Sequence, residues 1–280
     1  MTSPYQLPDG NVLITFSGGR TSAFMLYKIL EQNGQLPDRC KVVFANTGRE
    51  MPETLDFVQQ CGEQWNVKIH WLEYSSENKS RYVEVNHNQA SRNGEPFEML
   101  LFSPTVTGKQ RRYVPTVVNR YCTTELKLRT IKRFLLDQGW TQWTKALGMR
   151  ADEAQRVKEQ RKVERWTLWY PLFDALETKK TVMQFWNNNT FDLNLFGPNG
   201  LTPKGNCDGC FLKSEATLAM MWREHPDKMK WWVELEERMN CTFQKDRSYK
   251  ELGNFVSKQS DWIFDDEAFL CQADHGECTG

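Results

Sequence analysis

No stretch of this sequence approaches the roughly 18–20 uninterrupted apolar residues that a membrane-spanning helix needs. Net charge is missing too. Thirty-six Lys and Arg stand against thirty-six Asp and Glu, so no global field announces a membrane surface or a nucleic acid as partner. The opening Met1-Thr2-Ser3-Pro4-Tyr5-Gln6 lacks the charged and apolar regions of a secretory signal, and no segment repeats. The expected setting is therefore cytoplasmic, with no membrane partner. A chain of 280 residues, 39% of them hydrophobic, has core enough to fold without a disulfide framework. Its eight cysteines then read as small buried hydrophobes, metal or cluster ligands, or reactive thiols. Cys40, Cys61, Cys241 and Cys271 have no distinctive setting, whereas Cys122, Cys207, Cys210 and Cys278 do.

What is present is a rhythm. Residues 11–16, 41–45 and 67–72 are short apolar, β-branched runs that read as buried strands, and 21–32 and 52–65 read as the helices between them. Gly34 suits a C-terminal cap and Pro52 a first helical turn. Strand–helix–strand order predicts parallel βαβ units, hence an α/β fold around a central, mostly parallel sheet flanked by helices. From 75 to 116 the pattern fades into a polar stretch containing Lys109-Gln110-Arg111-Arg112, which reads as a long structureless connection of functional use. A helix is expected over 124–138, strands over 144–149 and 166–172, and a helix from Thr178 to about 188. Turn residues then lead into Cys207-Asp208-Gly209-Cys210, and helices follow over 214–224, 226–239 and 249–258. The expected organisation is an α/β domain over 1–190 and a cysteine-containing, mainly helical subdomain over 191–280, with Trp222, Trp231 and Trp232 packed in its core.

The sharpest local signal is Ser17-Gly18-Gly19-Arg20-Thr21-Ser22, between the first strand and the first helix. Glycines let the backbone approach a phosphate, the helix N-terminus supplies partial positive charge, and the hydroxyls add donors. A tight turn using glycine for geometry alone would have the same sequence. The Gly-Lys-Ser/Thr ending of a Walker A loop is absent.

The stretch resembles the PP-loop, Ser-Gly-Gly-x-Asp-Ser, of ATP pyrophosphatases and the phosphoadenosine phosphosulfate (PAPS) reductase family, with Thr21 where Asp is usual. Four further segments resemble that family in order, over about residues 12–213. Phe44-Ala-Asn-Thr-Gly-Arg-Glu-Met-Pro-Glu-Thr54 is similar to its Asp-Thr-Gly-x-x-Phe-Pro-Glu-Thr, which implies that Asn46, Thr47 and Gly48 border the adenosine. Arg120-Tyr-Cys-Thr-Thr-Glu-Leu-Lys127 is similar to Cys-Cys-x-x-x-Lys, which makes Lys127 an anion contact. Gly148-Met-Arg-Ala-Asp-Glu-Ala-Gln-Arg156 is similar to Gly-Ile-Arg-Arg-x-x-Ser-x-x-Arg, offering Gly148, Arg150 and Arg156; on residues alone both arginines also read as surface ion pairs. Tyr170-Pro-Leu-Phe-Asp174 and Gly205-Asn-Cys-Asp-Gly-Cys210 complete the series. The resemblance implies an adenine nucleotide α-hydrolase-like fold, with PAPS, APS or ATP bound at the carboxyl ends of the strands.

It also implies roles for the cysteines. Relatives that reduce adenylylsulfate (APS) hold a [4Fe–4S] cluster on a Cys-Cys pair and a later Cys-x-x-Cys. Here Tyr121 occupies one of those positions, leaving Cys122, Cys207 and Cys210 as ligands, a three-cysteine set similar to that of tRNA-thiolating PP-loop enzymes. Zinc or bare thiols remain open. Gly276-Glu-Cys-Thr-Gly280 resembles the Glu-Cys-Gly-Leu-His tail of sulfonucleotide reductases, whose cysteine attacks the sulfate sulfur and is restored by a thioredoxin-like reductant, making Cys278 the candidate nucleophile. The leading expectation is PAPS or APS reduction. The alternatives are ATP-dependent adenylation with sulfur transfer, possible acceptors including tRNA, and a nucleotide-binding protein without turnover. The sequence leaves open whether the chain forms a homo-oligomer.

Overall fold

The computed structural model describes residues 3–157, 165–195, 197 and 202–258. Among them, β1 (Val12–Thr15), β2 (Cys40–Asn46), β3 (Ile69–Tyr74), β4 (Tyr82–Val85), β5 (Trp143–Ala146) and β6 (Trp166–Trp169) form one sheet in the order β4-β3-β2-β1-β5-β6. All pairings are parallel except β3 with β4. Helix α1 (Arg20–Asn33) connects β1 to β2, and α2 (Pro52–Gln64) connects β2 to β3. The α/β fold with a mostly parallel sheet is thus present as expected.

Alternation along the strands sets the two faces. Val12, Ile14, Val42 and Phe44 pack with α1 and α2, while Leu13, Val43 and Ala45 pack against Ile131, Phe134 and Leu135 of α4 (Thr130–Asp137). Each face buries apolar area worth about 25 cal/mol per Å². Helix α4 is entered through a π-helical stretch, Thr123–Arg129, where the Thr130 hydroxyl donates to the Glu125 carbonyl at 2.9 Å. Such wide turns recur at functional sites. The helix expected over 124–138 is therefore present but wider at its start.

Residues 75–116 are not the structureless connection expected. They contain the edge strand β4 and helix α3 (Glu95–Phe102), which opens with Pro96 in its first turn. Both are short, and α3 is apolar along most of its length, so neither shows a clear period. The strands expected over 144–149 and 166–172 end sooner, at Ala146 and Trp169, the second because Pro171 opens a helical turn, α5 (Pro171–Asp174). Helix α6 (Lys179–Asn187) follows, capped by Thr178.

Helices α7 (Glu215–Glu224), α8 (Pro226–Met239) and α9 (Tyr249–Lys258) extend the larger apolar cluster. Trp232 of α8 meets Phe97 of α3 edge-on at 5.2 Å and Phe243 at 5.1 Å. No helix among the described residues is long and apolar enough to cross a membrane.

Candidate functional site

Strand β1 lies between β2 and β5, so the chain's crossovers leave it in opposite directions and a crevice opens at its carboxyl end. The glycine loop occupies that crevice. Gly18 has φ +82°, and a Cβ there would lie 2.7 Å from Thr54 Cγ2 and 3.3 Å from the Phe44 ring. Only glycine fits that conformation and that space. The Ser22 hydroxyl donates to the Gly19 carbonyl at 2.9 Å and accepts the Ser17 amide at 3.1 Å, with Ser17 Oγ 2.9 Å away. Gly19 caps α1 with no side-chain bond, leaving the first-turn amides facing the loop. The Arg20 guanidinium reaches away to Asp192, forming a two-pronged ion pair at 2.7 and 2.6 Å. What Arg20 gives the loop is its backbone.

The segment after β5 closes on this loop. A Cβ on Gly148 would stand 3.4 Å from Ser22 Cα, so the two backbones nearly touch. Arg150, 5% exposed, donates from Nη1 to the Thr21 hydroxyl at 3.1 Å and from Nε to Asp152 at 2.9 Å. Glu153 receives the Arg150 amide at 3.3 Å and also pairs with Arg156. Both arginines make the ion pairs that their spacing also suggested, Arg150 while buried and Arg156 while half-buried. Arg150 bridges a short 3₁₀ segment (Ala151–Arg156) to the N-terminus of α1, and Arg156 is held by Glu153.

At the end of β2, Gly48 has φ +79° and its missing side chain admits the Gly94 backbone, 3.1 Å from where a Cβ would be. Asn46 donates to Glu73 at 2.6 Å and to the Ser91 carbonyl at 2.9 Å. Thr47 gives its amide and hydroxyl to the Glu50 carboxylate at 3.0 and 2.9 Å. The Cys207 Sγ lies 3.3 Å from the Thr47 hydroxyl. The cysteine turn is pinned here by Asp208, fully buried, which pairs with Arg49 at 2.7 Å and accepts Trp232 Nε1 at 2.7 Å. Arg49 also stacks over the Trp231 ring at 4.3 Å. Burial pushes the Cys207 thiol up, and Glu50 and Cys210 add to this, while Lys127 and the Thr47 hydroxyl pull the other way.

Lys127 projects from the π-helical stretch into a cavity of about 60 Å³ lined also by Ser17, Thr15 and Lys145. Lys145, 7% exposed on β5, was missed in the sequence. Its signal was a lysine inside an otherwise buried strand, Trp-Thr-Lys-Ala. Cys122 sits in helical geometry at the start of that same stretch. Among the described residues no three His, Cys, Asp or Glu side chains are gathered so as to hold a metal ion. The set Cys122, Cys207 and Cys210 thus does not form a ready ligand shell. Cys278 lies outside the described residues.

With this geometry in view, a family model described as the phosphoadenosine phosphosulfate reductase domain matches residues 11–196. A protein of Escherichia phage lambda, the uncharacterized nin region protein ORF290, is 28% identical over 221 residues, covering 76% of this chain and 69% of its own. Two solved structures share less. A phosphoadenylyl-sulfate reductase from Candida auris, in a phosphate complex, aligns with TM-score 0.42 and 17% identity over 67% of this chain and 80% of that one. The U34-tRNA thiolase NcsA from Methanococcus maripaludis, with its [4Fe–4S] cluster, aligns with TM-score 0.40 and 11% identity over 85% and 74%.

Proposed function

This chain belongs to the phosphoadenosine phosphosulfate reductase family, and from that premise we propose that it binds an adenine sulfonucleotide, PAPS or APS, and reduces it through a thiol. The observation that carries the reading is the Thr21–Arg150 contact at 3.1 Å, which turns a buried guanidinium toward the glycine loop at the N-terminus of α1. A guanidinium and a helix N-terminus suit a phosphosulfate anion, and Lys127 and Lys145 add charge beside Ser17. Asn46, Thr47 and Gly48 border the adenosine side. A hydroxyl at position 21 supplies no carboxylate for Mg²⁺, so the loop favours holding an anion directly over cleaving ATP.

In the reaction, a thiolate attacks the sulfate sulfur and the bond from sulfur to the phosphate oxygen breaks. The nucleotide leaves with the electron pair, and a thiosulfonate remains on the attacking sulfur. A dithiol reductant of the thioredoxin class then displaces sulfite, forming a mixed disulfide that its second thiol resolves. Cys278 is the nucleophile assigned to this step. A cluster on Cys122, Cys207 and Cys210 would require a ligand shell the described residues do not form, so no step runs through it; iron and acid-labile sulfide assayed after anaerobic purification measure it separately.

The test is sulfite release from PAPS and from APS with reduced thioredoxin. The reading expects sulfite from one of them and its loss in Cys278→Ser. Nucleotide binding without sulfite would leave a binding protein, and full activity in Cys278→Ser would remove that cysteine from the reaction.

A further inference from the structure

We propose that the loop before the π-helical stretch, together with the outer face of α4, is a docking surface for a single-stranded nucleic acid, separate from the nucleotide pocket. The chain is neutral overall, yet between residues 104 and 136 Glu125 is the only acidic residue against eight Lys and Arg. Glu125 is shared by three guanidiniums. Arg129 pairs with it one helical turn away, Arg133 lies 3.6 Å from it, and Arg111 lies 4.0 Å from it across the loop. One carboxylate cannot neutralise three arginines. Nη1 of Arg111 and Nη1 of Arg133 are buried with no hydrogen-bond partner among the described residues. Guanidinium forks donate to phosphate oxygens, matched by geometry as well as charge.

The same loop presents apolar surface to water. Val118 is 97% exposed, and Val106, Val117 and Tyr113 are also exposed. The loop is nonetheless shaped. Tyr113 packs edge-on against Tyr121 at 5.8 Å, Asn119 donates to its hydroxyl at 3.2 Å, and Arg111 covers the Tyr121 ring at 5.1 Å. Cationic groups interleaved with exposed aromatic and apolar side chains match an unpaired strand, whose phosphates take the charge and whose bases take the stacking. A duplex would hide its bases from Tyr113 and the valines. Lys127 points from the same helical stretch to the pocket beside Ser17, so a strand on this face would lie next to the site without entering it.

The experiment is fluorescence anisotropy with labelled 20-nucleotide DNA and RNA single strands, over a range of salt, using the full chain. Binding should weaken as salt rises. Lys109→Ala/Arg112→Ala, both residues exposed, should weaken it at least fivefold and flatten the plot of log K against log salt by about 1.4, near 0.7 per lost phosphate contact. Arg133→Ala should weaken it further, with sulfonucleotide affinity unchanged in every variant. Equal binding and equal salt slope in wild type and double variant would overturn the proposal. So would a preference for duplex, or competition by inorganic phosphate at the same phosphate concentration as the oligonucleotide.

Discussion

The glycine loop and the cysteine turn stand at the same end of the sheet, but different forces hold them. The loop is fixed by backbone sterics: Gly18 at φ +82° against Thr54 and Phe44, and Gly148 against Ser22. The cysteine turn is fixed by one buried charge pair, Arg49–Asp208, with Trp231 and Trp232 closing around it. A single carbon breaks the first arrangement, and a single lost charge breaks the second. The loop's own conformation is local to residues 17–22, although Thr54, Phe44 and Gly148 close around it, whereas the turn depends on a charge pair 159 positions apart.

The largest effect should come from filling that space. Gly18→Val places a branched side chain at a positive φ and within 2.7 Å of Thr54, a clash that neither backbone nor helix can relieve. Titration calorimetry should find nucleotide affinity reduced by at least about a hundredfold, near 2.7 kcal/mol. Unaltered affinity would mean that the nucleotide does not use this loop. Next comes Asp208→Ala. It strands the Arg49 guanidinium in a buried site, at a cost of about 3–5 kcal/mol, read from urea unfolding together with faster labelling of Cys207 by a thiol reagent. Arg49→Met/Asp208→Leu should recover only part of that stability, since it removes the stranded guanidinium but leaves Trp232 Nε1 and the Gly209 amide without their acceptor. If the single variant unfolds like wild type, the charge pair does not hold the turn.

A smaller effect is expected from Thr21→Asp. The new carboxylate would pair with Arg150 and repel a phosphosulfate, lowering affinity about tenfold, or about 1.4 kcal/mol. Added Mg²⁺ should restore part of the loss in the variant and leave wild type unchanged. If wild-type binding itself collapses in EDTA, direct anion capture by Arg150 is wrong and a metal belongs in the loop.

The same contrast explains what the sequence made legible. The βαβ rhythm and the Ser-Gly-Gly turn are local patterns, so β1, α1 and the loop were readable from Val12 to Ser22. The position of Arg150 was readable, but its partner was not, because Thr21 lies 129 residues away. Lys145 hid inside a strand, where a charged side chain looks like a break in the pattern. Residues 75–116 read as loop because β4 is four residues long and α3 eight, too short for periodicity to emerge. The cysteines were legible as a motif, but their surroundings were not. Nothing in Cys-Asp-Gly-Cys foretells that Glu50 and burial would push the Cys207 thiol up.

Between the two regions lies a third kind of joint, and it gives the smallest prediction. Glu73, 5% exposed at the end of β3, receives the Asn46 amide at 2.6 Å and the Ser91 amide and hydroxyl, each at 2.7 Å. Burial raises its pKa above the usual carboxylate value, against the pull of those donors. A carboxyl whose pKa is higher in the folded than in the unfolded chain favours folding most below its unfolded value. That advantage is lost as pH rises through the folded value. Glu73→Gln keeps the shape, and the Ser91 hydroxyl can turn to accept the new amide. Relative to wild type, the variant should therefore gain stability as pH rises from about 4.5 and then level off, by a margin smaller than any above. Denaturant midpoints measured for both proteins across that range decide it. A constant difference would mean that the donors around Glu73 fully offset its burial, and that this joint behaves like the neutral glycine loop rather than the charged cysteine turn.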